Sequence, residues 1–290
     1  MYRFALRKDA LWSNGEKVRA DDFVFAWRRL VDPQFASPGA SYLVMAGVKN
    51  ARQITLGKLS PAKLGIRAID SHILEIRLDE PVHYFLNMLA NPLLFPVPQK
   101  VVEQWGDRWT RPEYMVSNGA FSLAQWVVNE KIVLKRNPHY WDNQNTRLDE
   151  VTFLPLGSDE AALSRYRAGQ LDISNIPHQG ENYQTLLRRY PGQVFRAPLL
   201  AEEYLAFNLA RKPFDDKRVR LALAYAIDRQ TLTHKVLGMG ERPVYTLTPP
   251  TTHQFHPPAR DGDTGHRLSG RARPGLCSRL PGLAHSSHSG

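Results

Sequence analysis

The chain has a single cysteine, Cys277, among its 290 residues, so no disulfide can form within it. It also lacks any apolar run of about 18 residues or more, the length that a membrane-spanning helix needs. The most apolar stretch, residues 84–97, is interrupted by Asn87, Asn91 and two prolines. These absences exclude a disulfide framework and a transmembrane helix, and they leave the redox compartment open.

Reaction motifs are also missing. The sequence contains no His-Glu-x-x-His, no Gly-x-Ser-x-Gly, no phosphate loop and no Gly-x-Gly-x-x-Gly. One cysteine excludes a cysteine-based metal site, and the ten histidines are scattered. Glu202 and Glu203 could form an acid–base pair, but neighbours on a strand point to opposite faces. We therefore expect no enzyme, no metal and no cofactor, with one of the two glutamates available to face a binding cleft.

The net charge of +10 would suit a nucleic-acid-binding protein. However, Lys and Arg are interspersed with acidic residues over the first 259 positions, and no basic stripe with interleaved aromatic residues occurs. This distribution argues against nucleic acid as a partner.

Residues 260–290 differ in composition from the rest of the chain. They contain no aromatic residue, no Ile and no Val, and they are rich in Gly, Ser, Arg, Pro and His. Such a segment cannot bury enough apolar surface to offset its ordering entropy, so we expect it to be disordered. Two origins account for such a segment: a natural basic tail, or translation in a shifted reading frame. The abrupt change in composition after Ala259 favours the second.

Periodicity predicts a mixed α/β chain. Residues 1–8 alternate between aromatic or apolar and basic residues, as a strand with two faces does. This start has no signal-peptide core, and a chain that begins inside a strand indicates a missing upstream segment. In the turn at residues 12–15, Gly15 is free to take a positive φ. A helix capped by Asp21 or Asp22 runs through Leu30, strands over 66–69 and 72–78 form a pair that turns at Asp70-Ser71, and a short helix follows Pro81. Further strands are predicted over 121–123, 130–135 and 151–154. The last of these strands, a helix capped by Ser158 or Asp159 and closed by Gly169, and a strand over 171–173 give a βαβ pattern. The remaining elements are a strand over 204–209, a helix after Asp215 or Asp216 with Val219, Leu223 and Ile227 inward and buried in a complete protein, and a helix over 229–237 that ends at Gly238.

Four tryptophans, Trp12, Trp27, Trp126 and Trp141, could line a ligand groove. Core packing is the commoner fate of large aromatic side chains, and we favour it. Asn118-Gly119 predicts a turn in which Asn118 bonds locally and Gly119 takes a positive φ.

Four separated blocks each couple a turn to the edge of a helix or strand. They are Trp12-Ser13-Asn14-Gly15 with Ala20-Asp21-Asp22-Phe23 and Trp27; Ser117-Asn118-Gly119-Ala120-Phe121; Arg136-Asn137-Pro138-His139-Tyr140-Trp141; and Pro213-Phe214-Asp215-Asp216 with Arg218-Val219-Arg220 and Asp228-Arg229. In this order they resemble the large periplasmic solute-binding proteins that deliver oligopeptides to ABC transporters. Residues 36–43 and 125–132 are similar to the enterobacterial oligopeptide-binding branch.

The resemblance covers residues 1–259 and implies an α/β fold, a type II-like clamp of two lobes with an additional α/β domain, present here incompletely. By that comparison, residues 1–101 form part of the additional domain, 102–200 part of one lobe, and 201–259 the start of the other. Residues 260–290 lie beyond the match.

The resemblance also implies a function and a site. Oligopeptide would bind between the lobes for delivery to permease subunits at the membrane, with the carrier monomeric and periplasmic. Tyr42 falls in the family's segment that contacts ligand, and Tyr204 falls where the family crosses into the second lobe, beside the cleft. Glu203, one of the two neighbouring glutamates, is taken as the one that faces the cleft. A carrier of another amphipathic or small ligand is the alternative within the family, and a hydrolase, which would need a nucleophile–base pair, is the alternative outside it.

Overall fold

The structure is a computed structural model that describes residues 1–175, 183–197, 199–249 and 252. The chain divides into two compact units, the first spanning Met1–Pro155 and the second beginning at Leu156. The strands are β1 (Tyr2–Ala5), β2 (Ile66–Ala68), β3 (Ile73–Ile76), β4 (Phe121–Val127), β5 (Lys131–Arg136) and β6 (Glu150–Phe153). The helices are α1 (Ala20–Val31), α2 (Ser41–Met45), α3 (Ala51–Thr55), α4 (Phe85–Met88), α5 (Gln99–Trp105), α6 (Asp159–Arg167), α7 (Tyr183–Arg189), α8 (Lys217–Ala226) and α9 (Arg229–Thr231). A π-helical turn over Leu232–Leu237 continues α9.

The first helix, α1, lies where it was predicted, but its N-cap is a different residue from the predicted one. The N-cap residue is Arg19, and Asp22 lies in the first turn, where its Oδ2 accepts the Arg19 backbone N–H at 2.8 Å. The carboxylate therefore satisfies a backbone donor from inside the helix, where negative charge also complements the helix dipole. Asp32, followed by a proline, ends the helix with an extended backbone.

The core of the first unit lies between α1 and a three-stranded antiparallel sheet with the order β1-β3-β2. This confirms the predicted strand pair. Its largest fully buried members include Trp27, Leu43, Ile54, Ile76 and Phe85. The ring of Tyr2 on β1 lies 4.9 Å from that of Phe85, so the apolar positions of the alternating first strand face this core.

The opposite face of this sheet has a fully buried carboxylate among three arginines. Glu75 on β3 is paired in register with Arg3 on β1 and Arg67 on β2. Its Oε2 accepts Arg3 Nε at 3.0 Å, while its Oε1 accepts Arg67 Nε at 2.8 Å and Arg77 Nε at 3.0 Å. Hydrogen bonds from Arg67, then from Arg3 and Arg77, hold the pKa of Glu75 at about 2, below its ordinary value of 4.5.

This pKa predicts acid sensitivity. Because the folded-state pKa is depressed, ionised Glu75 stabilises the fold above about pH 4.5, and that contribution is lost as the pH falls toward 2. Urea unfolding measured over this range should show a smaller pH dependence for Glu75→Gln than for the parent chain. Asp149→Asn, which removes the exposed partner of Arg136 in the other sheet, is the control for losing a surface ion pair, and Glu75→Gln should reduce the pH dependence more than it does. Equal pH dependence in Glu75→Gln and the parent chain would contradict the assignment.

A second antiparallel sheet in the first unit has the order β4-β5-β6. All three strands were predicted, and the pairing of β4 with β5 shifts register between Leu123 and Gln125. Trp12 and Trp27 are buried, as expected, but core packing was wrong for Trp126 and Trp141, which are 52% and 47% exposed. Trp141 instead lies under the guanidinium of Arg7, 3.9 Å from its ring centre.

The second unit confirms the helices. Ser158 caps α6 by accepting the Ala161 N–H at 3.2 Å, and Gly169 follows the helix at a φ of 70°. Asp216 caps α8 by accepting the Arg218 N–H at 2.8 Å, and Asp228 caps α9 through the Thr231 N–H at 3.0 Å.

Two predicted strands of the second unit are absent. Residues 171–173 and 204–209 belong to no strand, so the expected βαβ unit does not form in the described part of the chain. A strand is stabilised by its neighbours, and none is placed beside either segment there. Burial of Leu223 was predicted for a complete protein; in this chain α8 buries none of its residues, and Leu223 is 41% exposed. The predicted disorder of 260–290 lies outside the described residues.

Candidate ligand-binding residues and the turn junction

Three of the four sequence blocks meet in the first unit, at a place called here the turn junction (residues 12–15, 117–119 and 137–139). The backbone N–H of Ser13 donates to the Ser117 carbonyl at 2.7 Å, and the Ser117 N–H donates back to Ser13 Oγ at 3.1 Å. Gly15 has a φ of 84°, as predicted, and a side chain there would approach the His139 ring at 3.9 Å. The three blocks are therefore held together by hydrogen bonds and packing at the turn junction.

Asn137 is the fully buried polar anchor of the turn junction. Its Nδ2 donates to the Gly119 carbonyl at 2.9 Å, and its Oδ1 accepts the His139 N–H at 3.0 Å. Its backbone N–H donates to the Ala120 carbonyl at 2.8 Å. The prediction for Gly119 was wrong: it does not take a positive φ, and its N–H is held by Ser117 Oγ at 3.1 Å.

Trp12 connects the turn junction to α1. Its indole Nε1 donates to Asp22 Oδ2 at 3.3 Å. Partial burial raises the pKa of Asp22, with hydrogen bonds from Arg19 and Trp12 opposing the shift. A concavity of about 180 Å³ beside these residues is also lined by Glu16 and Lys100, which form an exposed ion pair at 3.2 Å. Such a polar, open surface offers little apolar enclosure for a ligand.

Tyr42, the first predicted site residue, is half-buried on α2 and packs against the core of the first unit. Its hydroxyl donates to the Met88 carbonyl at 3.2 Å, which fixes the ring orientation. A Cβ added at Gly39, in the preceding loop, would lie 2.7 Å from a methyl group of Leu93, so this exposed side chain would have to move. Tyr42 is thus a preoriented aromatic side chain with part of its ring open to solvent.

Glu203 and Tyr204, the other predicted site residues, lie in the second unit, and Tyr204 is 68% exposed. Both side chains are exposed, and the segment is not a strand, so the argument from opposite strand faces does not apply to them. The neighbouring Glu202 is half-buried, and its Oε2 is buried without a hydrogen-bond partner. A buried unsatisfied carboxylate oxygen is costly, and this feature could not be read from the sequence. Ligand contact by Tyr42, Glu203 and Tyr204 stays a prediction.

Metal sites and membrane-spanning helices are absent from the described ranges. Within residues 1–175, 183–197, 199–249 and 252, no group of three or more His, Cys, Asp or Glu side chains is placed to hold a metal ion. Among the helices of that same part of the chain, none combines the length and apolar character needed to cross a bilayer.

Comparison with known proteins decides the family. Residues 1–268 match the bacterial extracellular solute-binding proteins, family 5 middle region. The chain belongs to this family. It is 47% identical over 258 residues to the periplasmic murein peptide-binding protein MppA of Escherichia coli, covering 89% of this chain and 48% of that protein. It is 44% identical over 252 residues to the periplasmic oligopeptide-binding protein OppA of Salmonella typhimurium, covering 87% and 46%.

A third relative has a different type of ligand in its name. The probable deoxycholate-binding periplasmic protein YgiS of Escherichia coli is 46% identical over 254 residues, covering 88% of this chain and 47% of its own length. This family member therefore lies as near in sequence as the peptide carriers do.

Solved structures show the same fold. The murein tripeptide-binding protein MppA of Escherichia coli superposes with a TM-score of 0.85 at 45% identity, over 92% of this chain and 52% of that one. Haemophilus influenzae OppA in complex with RPPGFSPFR gives 0.79 at 43% identity, over 85% and 48%. The predicted α/β fold of the type II-like periplasmic binding proteins is confirmed. The chain spans about half the length of the relatives it matches.

Proposed function

We propose that this chain supplies part of the solute-binding component of an ABC importer. The complete protein would bind oligopeptides in a cleft between two lobes and deliver them to permease subunits as a periplasmic monomer, by binding and not by catalysis. Membership of a solute-binding family, with peptide-binding proteins among its similar relatives, supports this assignment. The proposed domain division is 1–101, 102–200 and 201–259, with 260–290 outside these three parts; the family match itself extends to residue 268.

The mechanism proposed for the complete protein is hinge closure. Ligand stabilises the closed state only through contacts that it gains when both lobes surround it. Tyr42, held by its hydrogen bond to the Met88 carbonyl, would present one aromatic surface to the peptide, and Tyr204 another. A chain that spans about half of its relatives' length offers a subset of these contacts, so the 290-residue chain alone is proposed to bind peptide weakly.

A second ligand class is supported by the similarity to the probable deoxycholate-binding protein. The exposed aromatic and apolar side chains of one segment of the second unit, Tyr204, Leu205 and Leu209, would suit an amphipathic ligand as well as a peptide. The two proposals differ in what they demand of the site, because a peptide brings backbone hydrogen-bonding groups and a bile acid does not.

Calorimetry on two proteins tests the proposal. One is the 290-residue chain, and the other is residues 1–259 extended at both ends with the corresponding segments of Escherichia coli MppA. Each is titrated with RPPGFSPFR, with a pool of tri- to pentapeptides and with deoxycholate. We expect saturable peptide binding by the extended protein and none detectable by the chain alone.

Substitutions then separate this chain's contribution from that of the added segments. Tyr42→Ala and Tyr204→Ala should each weaken peptide binding by the extended protein by about tenfold. The controls Tyr84→Ala and Tyr225→Ala replace exposed tyrosines of the first and second unit and should leave affinity unchanged. Tight binding by the 290-residue chain would contradict the argument from partial contacts. Binding of deoxycholate without peptide would transfer the assignment to the second ligand class, and binding of neither would overturn both.

A further inference from the structure

The solvent face of the β1-β3-β2 sheet concentrates positive charge at one point. Glu75 lies on the central strand, opposite Arg3 on one side and Arg67 on the other, and Arg77 lies just beyond the end of that strand at Ile76. Residues opposite each other in a sheet share a face, and Arg77 donates to the same carboxylate, so all four groups lie on the side away from the core. We call Arg3, Arg67 and Arg77 around Glu75 the arginine face.

The carboxylate orients these arginines but does not neutralise them. Glu75 is fully buried, whereas the side chains of Arg3, Arg67 and Arg77 are 62%, 54% and 49% exposed. One negative charge against three positive charges leaves a local excess of two. Each guanidinium has five N–H donors, and two carboxylate oxygens cannot accept from all of them. Glu75 holds Arg3 through Nε, and it holds Arg67 and Arg77 through Nη2 as well as Nε, with the Nη2 atoms at 2.8 and 3.0 Å. The other N–H groups of these half-exposed guanidinium groups are the donors that remain.

We propose that the arginine face binds a phosphate-class oxyanion. Phosphate carries a charge of about −1.5 to −2 at neutral pH, which matches the excess charge of the cluster, and its oxygens accept the paired N–H groups of arginine. Neighbouring strands lie about 4.8 Å apart, so the arginines of the two flanking strands start about 10 Å apart and converge over Glu75. Because Glu75 already holds the three side chains in place, binding immobilises little further side-chain freedom.

The same chemistry has two sources, a free phosphate and the headgroup of an anionic phospholipid. Inorganic phosphate is titrated into the full chain by calorimetry, with ionic strength held constant by sodium chloride so that general screening is matched. Separately, the chain is sedimented with vesicles of phosphatidylglycerol or of phosphatidylcholine. Phosphate binding without vesicle binding would assign a free oxyanion. Retention on phosphatidylglycerol vesicles alone would assign the headgroup.

The variants Arg3→Gln, Arg67→Gln and Arg77→Gln test the site itself. Each should weaken the observed binding by about tenfold, as expected for losing hydrogen bonds between charged groups. Arg136→Gln is the matched control, because Arg136 forms an exposed ion pair with Asp149 on the other sheet, at 3.2 Å. Arg67→Lys keeps the charge but removes the fork, and it should fall between the parent and Arg67→Gln. Thermal unfolding of each variant verifies that it is folded.

Two results would overturn the proposal. One is the absence of saturable binding of both phosphate and phosphatidylglycerol vesicles by the parent chain. The other is an equal loss of binding in Arg136→Gln and in the three variants of the arginine face, since this would show a response to net charge alone. The proposal does not depend on the peptide-binding function, because Glu75 and its arginines are distinct from Tyr42, Glu203 and Tyr204.

Discussion

Replacing Trp27 by alanine should lower the free energy of unfolding by about 3–5 kcal/mol. Trp27 is only 1% exposed, and its indole Nε1 donates to the Leu94 carbonyl at 2.9 Å. The substitution removes the largest fully buried side chain and leaves a buried carbonyl without its donor. Because α1 covers the sheet through this residue, the cavity would open at the centre of the first unit's core.

Urea unfolding followed by circular dichroism measures this effect without relying on tryptophan fluorescence. Trp126→Ala is the matched control, since Trp126 is 52% exposed on β4, and its effect should stay within about 1 kcal/mol. Trp27→Phe should be intermediate, because it keeps most of the ring but not the hydrogen bond. A loss for Trp126→Ala as large as for Trp27→Ala would contradict the described core.

The second large effect is expected at the turn junction. Asn137→Ala should cost about 1–3 kcal/mol, because it leaves the Gly119 carbonyl and the His139 N–H without their side-chain partner in a buried place. Asn137→Asp keeps an acceptor for His139 but places a carboxylate oxygen against the Gly119 carbonyl in a buried place, so it should cost at least as much as Asn137→Ala. The measurement is again the free energy of unfolding in urea.

Asn118→Ala provides the control within the turn junction. Asn118 lies between Ser117 and Gly119 but does not bridge the blocks as Asn137 does, so its replacement should cost less than the replacement of Asn137. If both substitutions lowered the free energy of unfolding equally, the stability of the turn junction would come from its backbone and not from the buried amide of Asn137.

Local signals in the sequence were sufficient for most elements of this protein. The cap at Ser158 and the glycines at 15, 169 and 238 were correctly predicted, because each depends on the φ or the hydrogen-bonding capacity of a residue and its near neighbours. The strand pair of β2 and β3 was predicted for a similar reason, since a short turn joins its apolar, alternating segments.

Two candidate ligand residues, Tyr42 and Tyr204, came from resemblance, and neither periodicity nor composition could have supplied them. Tyr42 was placed by its position in a family segment, and the structure adds the hydrogen bond to Met88 that orients it. Tyr204 was placed at a family crossover, at the start of a predicted strand that the structure does not form, and Glu203 precedes it as one of two neighbouring glutamates. Which face of such a segment meets a ligand depends on the strands beside it, and the segment's own sequence does not contain that information.

By itself, then, the sequence determined several turns, the helices that begin at Asp159, Lys217 and Arg229 with their caps, and the family to which the chain belongs. The tertiary structure decided which aromatic residues are buried, so that Trp27 is enclosed while Trp126 and Trp141 stay exposed. It also decided that three sequence blocks far apart in the chain meet at the turn junction, and that three arginines surround Glu75. The physical reason is range. Capping and turn formation are settled within a few residues, whereas burial, strand pairing and charge clustering depend on contacts between residues far apart in the chain.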